Sequence, residues 1–197
     1  MMHDLAAPIE AFLMSTGIVA LAEMGDKTQL LSLILAARFR KPIPIILGIL
    51  AATLVNHALA GAVGVWVNQW LGPVVMRWVL GVSFLLMAGW ILIPDKIDDD
   101  TDAKQTGSVF ITTVVAFFLA EMGDKTQIAT VALAAQYSSL VAVVAGTTTG
   151  MMLANVPVVL LGDKVTKLIP MRVVHIIAAA LFAVLGLAAL LNLGSLF

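Results

Sequence analysis

Six apolar stretches divide the chain, at about 9–37, 43–67, 74–93, 108–135, 140–161 and 173–193. A helix crossing a hydrocarbon core of about 30 Å needs roughly 20 such residues, and every stretch supplies them. Barrel strands need only about 9–11 residues, so runs of this length predict helices. Turn formers and charges punctuate them: Arg38, Arg40, Lys41, Pro42 and Pro44, then Gly72 and Pro73, then the polar run 94–106, and later 136–139 and 162–170. Composition sharpens the reading. Hydrophobic residues make up 61% of the 197 and charged residues 12%, against roughly 45–50% and 25% in a soluble domain. The predicted fold class is an all-α integral membrane protein with six transmembrane helices.

Several functions are excluded by what the chain lacks. A net charge of −1 leaves no basic surface for a nucleic acid. No cysteine is present, which removes disulfides, thiolate metal sites and cysteine nucleophiles. An intramembrane hydrolase finds no His-x-x-x-His pair either. The first ten residues carry Asp4 and Glu10 but no Lys or Arg, unlike a basic secretory leader, so a retained first span is expected.

Orientation follows from Lys and Arg in the short loops. The first, third and fifth loops carry Arg38, Arg40, Lys41, Lys96, Lys104, Lys164, Lys167 and Arg172, whereas the opposite side has only Arg77. Both termini are therefore expected outside the cytoplasm. The acidic run Asp98-Asp99-Asp100 with Asp102 reads as a solvated cytoplasmic linker. Trp66, Trp70 and Trp78, near the second loop, read as an interfacial aromatic belt, and His175 as decoration of the other interface.

A repeat organises the whole chain. Glu23-Met24-Gly25-Asp26-Lys27-Thr28-Gln29 returns 98 residues later as Glu121-Met122-Gly123-Asp124-Lys125-Thr126-Gln127. Each copy is followed by a span holding an Asn, Asn56 or Asn155, and by a third span introduced by Arg77 or Arg172. The expected organisation is a first three-helix repeat at 1–94, the acidic linker at 95–107, and a second three-helix repeat at 108–197. Three spans per half force opposite orientations. A 3+3 inverted repeat of this kind is a common transporter plan, with the substrate held near the bilayer midplane at the repeat interface.

The motifs fall at that depth. Glu23 is 12 residues beyond Ala11 and 15 before Arg38, about 18 and 22 Å along a helix. A charge there costs about 2.5–3.5 kcal/mol or more, so four carboxylates need compensating partners or a compensating function. Gly25 and Gly123 permit close approach or a break in the helix, which would free carbonyls for the site. Bringing both motifs together gathers Glu23, Asp26, Glu121 and Asp124 with Lys27 and Lys125, a formal charge of −2 that one divalent cation neutralises. Hard oxygen ligands suit Mn²⁺ or Ca²⁺. Without a cation the crowded acids accept protons, so metal and proton compete for the same oxygens. The structural alternative is a pair of buried ion pairs, Glu23 with Lys27 and Glu121 with Lys125, that only join helices.

At these residues the chain resembles the transmembrane protein 165 family, formerly uncharacterised protein family 16. The family hallmark is two copies of Glu-apolar-Gly-Asp-(Lys/Arg)-(Ser/Thr), matched here from Glu23 to Thr28 and from Glu121 to Thr126 without departure. The resemblance spans both halves and the acidic linker. It implies a cation/proton exchanger moving Mn²⁺ or Ca²⁺, with the conserved acids on Glu23, Asp26, Glu121 and Asp124. It also implies a bacterial member in the plasma membrane, acting in Mn²⁺ efflux. No prosthetic group is implied; the partners are a divalent cation, protons and the bilayer.

Further candidate ligands are Gln29 and Gln127, whose amide oxygens suit hard cations, and Asn56 and Asn155 in the second span of each half. Thr28 and Thr126 suit bonding to a helix carbonyl. Met24 and Met122 read as packing. His57 could relay protons, but Val156 stands at the corresponding place after Asn155, so packing is favoured. Two other functions fit a six-span chain: an exporter of small cationic organic solutes, and a non-transporting assembly protein whose motifs lock helices together.

Overall fold

The computed structural model describes residues 2–93, 107–162 and 170–192. Among these there are seven helices and no strands: α1 (Met2–Glu23), α2 (Lys27–Phe39), α3 (Pro42–Ile91), α4 (Val109–Glu121), α5 (Lys125–Gln136), α6 (Leu140–Leu161) and α7 (Met171–Leu190). Five segments are long and apolar enough to cross a membrane: Ala6–Glu23, Pro42–Gly72, Val74–Ile91, Leu140–Leu161 and Arg172–Leu190. The chain is thus an all-helical integral membrane protein. The acidic run Asp98–Asp100 with Asp102, and the loop bases Lys96, Lys104, Lys164 and Lys167, lie outside the described residues.

Two expected spans contain the break that their glycines permit. The first and fourth are not continuous helices; each breaks inside its motif, into α1 and α2 and into α4 and α5. The physical reason is glycine: Gly25 has φ 82° and Gly123 φ 73°, values that side-chain-bearing residues adopt at a cost of about 1–2 kcal/mol. The second and third stretches are the two arms of α3, and they meet where the turn formers predict, at Gly72, whose φ of 64° and ψ of 164° interrupt the helix just before Pro73.

Large apolar side chains such as Trp70, Leu86 and Val141 face outward, while Glu23, Asp26, Gln29, Asn56, His57, Glu121, Asp124, Lys125 and Asn155 are buried. Such an inside-out distribution suits a hydrocarbon solvent, where polar side chains turn toward the bundle interior. Trp66 and Trp70 are exposed, their ring centroids 6.0 Å apart.

Packing pairs the helices crosswise. α1 lies along α6, α3 along α4 and α5, and the far arm of α3 along α7. Small residues set the closest approaches. A β-carbon on Gly146 would stand 2.9 Å from Ser15 Cβ, and one on Gly48 would stand 2.7 Å from Thr113 Cβ. Each residue of the first pair corresponds to one of the second at the 98-residue offset. Phe84 meets its own counterpart Phe182 at 5.9 Å between centroids. Gly146→Ala is expected to destabilise the detergent-purified protein by about 1–3 kcal/mol, since the new methyl meets backbone that cannot give way. Gly17→Ala, on an open helical surface, is expected to leave the unfolding temperature unchanged or raise it.

Candidate metal centre

Each motif folds into the same short turn. The Asp26 N–H donates to the Glu23 carbonyl at 3.1 Å, and the Asp124 N–H to the Glu121 carbonyl at 3.1 Å. The Gln29 side chain reaches back to accept the Gly25 N–H at 3.0 Å, and Gln127 accepts the Gly123 N–H at 2.7 Å. This resembles a capping box, in which the third helical residue satisfies a donor left over at the helix start. Gln29 also donates to the Ala154 carbonyl on α6 at 3.0 Å. Asp26 and Asp124 cap α2 and α5 by backbone position, yet their carboxylates make no side-chain bond to the helix start.

Those carboxylates go to lysines of the other motif. Lys27 Nζ lies 2.9 Å from Asp124 Oδ1, and Lys125 Nζ 3.1 Å from Asp26 Oδ1. The Glu–Lys pairing within each motif, the structural alternative drawn from the sequence, is replaced by crossed Lys–Asp pairs. The helix break explains the exchange, because Glu and Lys no longer share one continuous helical face.

Removing the lysines to the aspartates leaves the glutamates facing each other. Glu23, Glu121 and Asp124 are all buried and each offers an oxygen within 4.8 Å of the other two. Ligand oxygens on opposite sides of a calcium-sized ion stand about 5 Å apart, so one hard cation fits this separation. Neither Glu23 oxygen nor Glu121 Oε1 receives a hydrogen bond, although burying an unpaired carboxylate is costly. Thr126 Oγ1 donates to Glu121 Oε2 at 3.0 Å and approaches Asp124 Oδ2 at 3.4 Å. Three carboxylates with Lys27 alongside carry a formal −2, the complement of one divalent cation.

The other candidates surround this triad. Asp26 stands with Lys125. Asn155 lies beside Glu23, accepts from Ser32 Oγ at 2.7 Å and donates to the Met151 carbonyl at 3.1 Å. Asn56 donates to the Phe118 carbonyl at 3.1 Å, bracing the last turn of α4 before Glu121. Gln29 and Gln127 spend their amide oxygens on the glycine turns.

Two histidines, neither favoured as a site residue from the sequence, make contacts at the motifs. His57 Nε2 lies 4.0 Å from Glu121 Oε2, both fully buried. Its position one residue after Asn56 was the available signal. His175 Nε2 is 2.8 Å from the Met24 carbonyl, so it touches the broken helix. At the 98-residue offset its counterpart is Arg77, a correspondence that would have marked it.

Comparison with known proteins decides the class. The profile of the family described as "Divalent cation/proton antiporter GDT1" matches residues 11–99 and 109–195. The chain belongs to the GDT1 family. A Vibrio cholerae serotype O1 protein named "Putative manganese exporter" is 56% identical over 171 residues, covering 86% of this chain and 85% of that one. "GDT1-like protein 5" of Arabidopsis thaliana is 25% identical, covering 93% of this chain and 96% of its own. "GDT1-like protein sll0615" of Synechocystis is 27% identical, covering 88% and 93%. No solved structure matches. GDT1 proteins are cation/proton antiporters, so the chain is a transporter and not an enzyme. The organic-cation and assembly readings give way to a divalent cation as transported substrate.

The GDT1 turns give a prediction of their own. Gly123→Ala meets no neighbour but must adopt φ near 73°, so it is expected to cost about 1–2 kcal/mol through strain alone. Thermal unfolding in detergent, with Gly17→Ala as the helical control, checks it.

Proposed function

We propose that the chain exports Mn²⁺ from a bacterial cytoplasm across the inner membrane in exchange for protons. Ca²⁺ is the second substrate the same oxygens suit. The carrying observation is the triad of Glu23, Glu121 and Asp124, buried and convergent, with both Glu23 oxygens unpartnered. Asp26, Gln29, Gln127, Asn56 and Asn155 shape its surround. The name of the Vibrio cholerae relative supports manganese as the cargo and export as its direction.

The architecture we infer is a 3+3 inverted repeat with six membrane crossings, α1 with α2 and α4 with α5 each counting as one. The halves are 1–94 and 108–197, joined by a cytoplasmic linker at 95–107, with both termini outside the cytoplasm. Supporting this are the crosswise packing of Ser15 with Gly146 and Thr113 with Gly48, the Phe84–Phe182 contact, and the loop basicity. In this plan the cation enters from the cytoplasm, displaces protons from the triad and leaves on the far side, where protons reoccupy it. Charge balance calls for two protons per cation. Expression in a bacterium deprived of its own manganese exporter should lower cell manganese and restore growth in millimolar-range Mn²⁺. Unchanged cell manganese with the protein present in the membrane contradicts the export reading.

A further inference from the structure

The two motifs are alike in sequence and backbone, yet their side chains are not equivalent. Each aspartate is paired with a lysine, but Asp124 also contributes an oxygen to the triad with both glutamates, whereas its counterpart Asp26 stands outside that triad. The two crossed ion pairs differ as well. The Lys27 side chain is 31% exposed, whereas that of Lys125 is 4% exposed. Thr126 bonds to Glu121, whereas the hydroxyl of Thr28 has no partner. His175 covers the Met24 carbonyl of the first turn, whereas Met122 in the second is exposed.

Two of these differences have the same sense. The second motif's aspartate belongs to the cation triad, and the lysine that holds that aspartate is the one reached from outside the bundle. An ammonium deep in a bilayer is rarely left against hydrocarbon, so the partial exposure of Lys27 favours an aqueous approach on that side. Two halves with opposite orientation can exchange roles, and the exchange converts an opening on one face into an opening on the other.

We infer that the two aspartates take turns as the third ligand. In the state described, the cation is held by Glu23, Glu121 and Asp124, with Lys27 toward water and Lys125 sealed against Asp26. In the oppositely facing state it is held by Glu23, Glu121 and Asp26, with Lys125 toward water and Lys27 sealed against Asp124. The glutamates are common to both states. Each lysine secures the aspartate of the other motif, so the formal charge of the site stays at −2 throughout. This inference rests on the triad being the cation site, and it differs from a fixed four-carboxylate cage that moves as one body.

Equilibrium binding of radioactive Mn²⁺ to detergent-purified protein separates the possibilities. Asp26→Asn and Asp124→Asn each strand one lysine and remove one charge, so any general electrostatic loss is common to both. Alternation predicts unequal shifts, with Asp124→Asn weakening Mn²⁺ binding at least tenfold and Asp26→Asn by less than threefold. The converse inequality supports alternation with the purified protein resting in the other state. Equal weakening by both variants overturns it. No Mn²⁺ binding by the wild type would instead remove the cation-site reading.

Because the chain has no native cysteine, a second measurement avoids the aspartates. Lys27→Cys and Lys125→Cys, reconstituted in vesicles of one orientation, are exposed to a membrane-impermeant maleimide from each side in turn. Labelling of the two positions from opposite faces supports alternation. Labelling of both from one face, or protection of Cys-substituted position 125 under all conditions, overturns it.

Discussion

Glu23→Gln and Glu121→Gln are expected to abolish Mn²⁺/proton exchange while the protein still inserts and folds. Both glutamates are buried and converge with Asp124. Each substitution removes one negative charge from a site whose −2 balances the cation, and leaves a neutral amide of nearly the same shape. On the scale of broken buried charge pairs this costs about 3–5 kcal/mol, roughly a hundredfold or more in affinity. Flux should therefore fall below detection at Mn²⁺ concentrations that saturate the wild type. Glu10→Gln, on an exposed helical position, should leave flux unchanged. Wild-type flux from both glutamate variants would remove these residues from the site. Unfolding temperatures measured beside flux separate a lost ligand from a lost fold.

The second large effect concerns stability. Lys125→Met is expected to destabilise the protein by about 3–5 kcal/mol, because it leaves the Asp26 carboxylate buried without its ammonium partner. Lys125 and Asp26 are almost wholly shielded. Lys27→Met should cost less, since the Lys27 side chain is partly exposed. The double variant Lys125→Met/Asp26→Asn removes both charges and should recover most of the stability lost by Lys125→Met. Its exchange activity should remain impaired, because the formal charge is restored without the crossed pairing. Equal destabilisation by the two single lysine variants, or no recovery in the double variant, would contradict the pairing described.

Much of the chemistry was legible before the structure, because charge in an apolar chain stands out. The duplicated Glu-Met-Gly-Asp-Lys-Thr-Gln run located both turns, and the structure brings Glu23, Glu121 and Asp124 together from them. What the sequence could not supply was the partner of each group. The sequence offered Glu23 as the partner of Lys27, but Gly25 breaks that helix and the lysine pairs with Asp124 instead. Gln29 and Gln127 have the chemistry of ligands, yet their oxygens complete the glycine turns. Such local competition between backbone and cation is invisible in a one-dimensional pattern. His57 was set aside because Val156 breaks the repeat at that place, and it nevertheless lies 4.0 Å from Glu121. The boundary between the second and third stretches was legible too, since Gly72 breaks the helix directly before Pro73. Repeat symmetry offered no reason for the two halves to differ, yet Asp124 joins the triad with both glutamates and Asp26 does not.

The most direct measurement is flux in sealed proteoliposomes with internal pH and Mn²⁺ recorded together. An outward proton movement should accompany Mn²⁺ entering the vesicle, at two protons per ion, and the rate should not change when the membrane is polarised with potassium and valinomycin. An imposed proton gradient alone should drive Mn²⁺ uphill. Mn²⁺ movement with no linked change in internal pH would contradict a site whose buried carboxylates exchange one divalent cation for protons.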